Sequence, residues 1–60
     1  MSTPKFKVGD EVLLKAFGEV GIVLSIWKDS KNQDRIWYDV DTGEGGVRYG
    51  YEKYMEKVNA

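Results

Sequence analysis

The side chains of this chain best suited to engage another molecule are its aromatics. Trp27 and Trp37 stand on either side of Lys28 to Asp34, K-D-S-K-N-Q-D, a run without one apolar residue. If that run joins two antiparallel strands, one indole ends a strand and the other begins the next, within reach of each other. A large rigid ring gains contact area at small entropic cost, so exposed paired tryptophans suit a binding surface. Tyr51 and Tyr54 could line a groove, with Arg35 as a rim charge, the plainer alternative being that these tyrosines pack in the core or at its rim. The plainer alternative is that the two indoles cap an open end of the fold.

Bond-making chemistry finds little support. The chain has no His and no Cys, which removes the commonest general base, the commonest metal ligand and any thiolate site. Ser25, Ser30 and Thr42 therefore have no imidazole to activate them. Asp39, Asp41 and Glu44 supply fewer ordered oxygen ligands than a calcium loop needs. Near Tyr and Trp rings, Asp39 or Asp41 could instead help to hold a cation. Gly43, Gly45 and Gly46 precede a strand-like stretch, whereas phosphate loops precede a helix. No pocket of ~300 Å³ is expected in so small a domain. The expectation is a protein without catalytic activity, cofactor or metal.

Lys28, Lys31, Arg35 and Arg48 surround the tryptophans in sequence, and cations interleaved with aromatics suit single-stranded nucleic acid. Asp29, Asp34 and Asp39 lie among them and lower the local potential. Nine basic against ten acidic residues give a formal charge of −1, which does not favour a dedicated nucleic-acid binder.

These residues must be positioned by short strands. Sixty residues make one domain, burying only ~60% of its unfolded surface. Residues 1–5 read as a frayed polar lead. Residues 1–10 hold no signal-type apolar region, and no apolar run nears the ~20 residues of a membrane helix, so a soluble, cytoplasmic protein is expected, without membrane contact. Gly9-Asp10 is a turn, and Glu11 to Lys15 a strand. Gly18 to Trp27, G-E-V-G-I-V-L-S-I-W, is the longest apolar run and reads as the central strand, with Gly21 allowing a bend or a close backbone approach. Period-two alternation places Val20, Ile22, Leu24 and Ile26 on the core face and Trp27 on the other. Arg35 to Val40 is the next strand, Asp41 to Gly46 a turn, and Val47 to Tyr51 a further strand. Glu52 to Tyr54 reads as one 3₁₀ turn and Met55 to Val58 as a closing strand. The expected core is Val12, Leu14, Val20, Ile22, Leu24, Ile26, Ile36, Tyr38, Val40 and Val47, with Tyr49 on the same side as Val47. Five short strands at regular spacing predict an all-β fold, a small, partly open antiparallel barrel.

In this order of elements the chain resembles the SH3-like barrel superfamily, with its KOW and Tudor-like domains. F-K-V-G-D-E-V at Phe6 to Val12, G-E-V-G-I-V at Gly18 to Val23 and the Y-x-x-x-M-x-x-V pattern at Tyr51 to Val58 carry the likeness. It is also similar to small bacterial and phage SH3-like proteins. The resemblance implies a five-stranded SH3-like barrel across residues 1–60. KOW domains are typically basic in the loop before the glycine strand, where they contact RNA. Here residues 16–19 carry Phe17 and Glu19, with only Lys15 at the edge. The leading expectation is a binding module for a protein or peptide, using Trp27, Trp37, Arg35, Tyr51 and Tyr54. A nucleic-acid module using Lys28, Lys31, Arg35 and Arg48 comes second, and a self-associating structural component with free strand edges third. Neither the partner nor the oligomeric state is specified by these residues.

Overall fold

Five strands are joined by short turns: β1 (Glu11–Leu14), β2 (Glu19–Lys28), β3 (Ile36–Asp41), β4 (Val47–Tyr51) and β5 (Met55–Lys57). The structure, a computed structural model, describes residues 3–29, 31 and 35–58. Single 3₁₀ turns at Gly43–Gly45 and Glu52–Tyr54 precede β4 and β5. There is no α-helix among the described residues, and none of their helical segments is long and apolar enough to cross a membrane. Ser30 and Asp34, considered above for the connection after Trp27, lie outside the described residues, as do residues 1–2.

The strands form one antiparallel sheet in the order β4-β3-β2-β1-β5. No ladder joins β4 to β5, so the sheet is not a closed barrel. It nevertheless curls. The inner side of Gly50 on β4 abuts Leu14 of β1 and Met55 of β5: a Cβ there would lie 2.6 Å from Leu14 Cδ2 and 2.8 Å from Met55 Sδ. With no helix to cover it, the sheet buries its apolar face only by folding onto itself. The core inside that curl is Phe6, Val12, Leu14, Val23, Ile36, Tyr38, Val40 and Met55, with Ile26 packed against it.

Three of the expected core residues of β2 face outward. Val20, Ile22 and Leu24 are 45%, 42% and 45% exposed, while Val23 and Gly21 are buried. The cause is a β-bulge. The register with β3 runs Ile22↔Asp41 and Val23↔Val40, then resumes at Ser25↔Asp39, leaving Leu24 without a partner. One extra residue inverts the alternation. Gly21 and Val23 point inward before the bulge, and Ile26 points inward after it. Trp27 therefore faces outward as expected, although half of its strand has the opposite phase. Gly21 supplies the close approach anticipated for it: a Cβ would sit 2.6 Å from Val40 Cγ1 and meet the Asp41 carbonyl.

Val47 and Tyr49 are also corrected, both being exposed. The curl brings Leu14 and Met55 against the inner side of β4, which leaves room for Gly50 and no larger residue. The side chains that do alternate inward and outward along β3 follow the sequence pattern, with Ile36, Tyr38 and Val40 inside.

The chain start is fastened to the sheet. Lys7 N–H donates to Asp10 Oδ2 (2.9 Å), and Gly9 N–H and Asp10 C=O bond to Val23 (both 2.9 Å), so the Gly-Asp turn lies against β2. Phe6 packs edge-on against Tyr38, ring centroids 5.3 Å apart. Lys5, read above as part of a loose lead, donates its backbone N–H to Glu52 Oε2 (3.0 Å). The Tyr38 hydroxyl donates to the same oxygen (2.5 Å) and accepts the Phe6 N–H (3.4 Å). Burial first, and then the bond to Glu52, push the Tyr38 phenol well above the ordinary tyrosine range.

Candidate functional site

The outer face of β2, β3 and β4 is built from three cross-strand rows: Ile22, Asp41 and Val47; Ser25, Asp39 and Tyr49; Trp27, Trp37 and Tyr51. Residues opposite each other in an antiparallel ladder share a face, so each row is a line of neighbouring side chains. The third row is wholly aromatic. Trp27 is 52% exposed and Trp37 is half-buried, its ring edge-on to Tyr51 with centroids 5.4 Å apart. Tyr49, at 76%, is the most exposed large hydrophobic residue of the described chain.

Between these rings lies a groove of about 330 Å³ lined by Trp37, Tyr49, Gly50 and Tyr51. Its form follows from the sequence of β4. Tyr49 and Tyr51 project on the outer side of the strand, and the backbone of Gly50 between them, whose absent side chain would point inward, forms the floor. A second groove, about 390 Å³, lies beside it, with Lys5, Arg35, Tyr51, Lys53 and Tyr54 among its lining residues. Tyr51 lines both. Both are open to solvent, and each exceeds the ~300 Å³ that the sequence reading withheld from so small a domain. Grooves between side chains on a curved outer face do not need a large interior.

Trp27 does not stack on Trp37. Its indole N–H donates to Asp39 Oδ2 (2.9 Å), fixing the ring over the sheet. The other oxygen, Oδ1, is buried and has no hydrogen-bond partner among the described residues. Asp41 accepts the Gly43 N–H (2.9 Å) and so shapes the turn into β4. Asp39 and Asp41 are the charged residues at the centre of the face, and no cation shares its three rows.

Of the residues singled out from the sequence, Trp27, Trp37 and Tyr51 form one row, and Arg35, Tyr51 and Tyr54 share the second groove. Of the four cations proposed for nucleic acid, Lys28, Lys31 and Arg35 gather at one end of the sheet, and Arg48 does not join them. Lys28 pairs with Ile36 and lies beside Arg35 at one end of the sheet, whose carbonyl accepts the Asp29 N–H. Lys31 is exposed in the same connection. Arg48 sits elsewhere: it pairs with Val40 on the opposite face, donates from Nε to Glu19 Oε1, and lies 4.5 Å over the Phe17 ring. Tyr49, Gly50, Lys5 and Lys53 were missed. The signal for Tyr49 was present in its like parity with Tyr51, two positions further along the same strand face.

Among the described residues no cluster of three or more His, Cys, Asp or Glu side chains is placed to hold a metal ion. Comparison with protein-family models, with curated proteins and with solved structures gave no match to this chain.

Proposed function

We propose that this chain is a non-catalytic binding module of the SH3-like kind, taking a protein or peptide partner on the aromatic face of β2, β3 and β4. The observation that carries the reading is the continuous row Trp27, Trp37 and Tyr51, bordered by the groove at Gly50. Ile22, Leu24, Trp27, Val47, Tyr49 and Tyr51 are all exposed large apolar or aromatic residues of these three strands. Large exposed apolar side chains gathered on one face suit an interaction site. Aromatic anchors beside a groove are the usual energetic centre of such sites. The SH3-like assignment rests on the order of strands and turns and on the motifs named above.

The test is selection from a random peptide library on the intact protein, followed by titration of the selected peptides against Trp37→Ala. Trp37→Ala should keep a cooperative thermal melt and weaken binding by about tenfold or more, the range of an interface anchor. A variant that melts away while its folded fraction binds normally would make Trp37 a core residue and remove the proposed surface.

A further inference from the structure

The charges of this chain nearly balance, yet the fold separates them. Antiparallel order puts the end of β2, the start of β3 and the 3₁₀ turn after β4 at one end of the sheet. That end carries Lys28, Lys31 and Arg35, and its groove is lined by Lys5, Arg35 and Lys53. The opposite end carries Glu19, Asp41 and Glu44, and its Arg48 is ion-paired with Glu19. The one acid lining the groove, Glu52, is turned to internal work: its Oε2 accepts both the Tyr38 hydroxyl and the Lys5 N–H. Among the described residues the cations Lys5, Lys28, Lys31, Arg35 and Lys53 outnumber the acids of this end, Glu52 and Asp29, whose Oδ1 accepts the Lys31 N–H.

We infer that the partner of the aromatic face is an acidic peptide segment. This rests on the binding reading above and names the chemistry of its ligand. An extended segment lays an apolar side chain between Trp37, Tyr49 and Tyr51. A carboxylate further along it then meets Arg35, Lys53 and Lys5, because Tyr51 is common to both grooves. Arg35 is the planar donor suited to a carboxylate, and the two lysines add field rather than geometry. A polynucleotide fits less well. It carries a phosphate at every step, and Asp39 and Asp41 stand in the face beside the aromatic groove with no cation in their rows. A peptide bears charge only where its side chains put it.

The experiment uses the peptides selected on the wild-type protein, sequenced for charge and titrated at two salt concentrations. The variants are Trp37→Ala and the double reversal Arg35→Glu with Lys53→Glu. Arg35 and Lys53 are exposed, so the double variant should melt like wild type. The expected result is selection of acidic peptides that lose about tenfold or more on charge reversal, with the loss shrinking at high salt. Neutral or basic peptides that require Trp37 but ignore the reversal would overturn the acidic partner and leave the aromatic face standing. Selected peptides indifferent to Trp37→Ala, or no selection at all, would overturn both. So would an oligothymidylate that displaces acidic peptides with a steep salt dependence.

Discussion

The bulge at Leu24 makes a sharp prediction about two adjacent residues. Val23 is 1% exposed and packs in the core, whereas Leu24 points to solvent. Val23→Ala removes two methyl groups from a site where β3 and β1 prevent collapse. The transfer loss and the cavity together should cost about 2–3 kcal/mol. Leu24→Ala removes more carbon but from a half-exposed position, and should cost about 1 kcal/mol or less. A domain of this size has roughly 3–9 kcal/mol of stability in all. Each kcal/mol shifts Tm by about 4–8 °C, so Val23→Ala should melt about 10–20 °C below wild type and Leu24→Ala within a few degrees of it. Thermal melts followed by circular dichroism, with urea melts to check that m is unchanged, measure both. If Leu24→Ala is the more damaging, the alternation runs unbroken through β2 and Val20, Ile22 and Leu24 belong to the core.

Further outcomes follow from the same packing. Gly21→Ala should destabilise more than Gly50→Ala, because the first meets the Asp41 carbonyl and the second meets flexible ends of Leu14 and Met55; paired urea melts rank them. Tyr38, held neutral by burial and by Glu52, stabilises the fold fully below the ordinary phenol value of about 10, and that contribution fades as pH climbs above it. Urea melts from neutral to strongly alkaline pH should therefore show falling stability, with a shallower fall in Tyr38→Phe; equal slopes would deny Tyr38 the role. Trp27→Phe removes the donor to Asp39 and should cost about 1 kcal/mol, a charged hydrogen bond discounted for exposure. A double-mutant cycle with Asp39→Ala should return a coupling of that size.

Much of the fold was legible because its turns are chemically explicit. Gly9-Asp10, the polar run after Trp27, D-T-G-E-G-G and the 3₁₀ turn at Glu52–Tyr54 delimit the strands within a residue or so of their observed ends. Strand phase was less legible. In β2 both faces are apolar, V-G-I-V-L-S-I-W, so nothing in the pattern says which half points inward or that Leu24 is an extra residue. In β4 the larger side chains read as core, but the curl had already filled that space from β1 and β5. Trp27, Trp37 and Tyr51 came together because strand parity after the bulge agrees with parity assumed without it. Arg48 did not join them, since its partner Glu19 lies far away in sequence and its face depends on β4's phase.

The most direct test of the aromatic face as the binding surface is a map of amide shifts. A ¹⁵N-labelled sample titrated with a selected peptide should show its largest changes at Trp37, Tyr49, Gly50 and Tyr51 and at both indole N–H groups. Smaller changes should extend to Arg35 and Lys53. Changes centred instead on Val8, Phe17 and Arg48, with the two indole resonances unmoved, would place the interaction on the other side of the sheet and contradict the account.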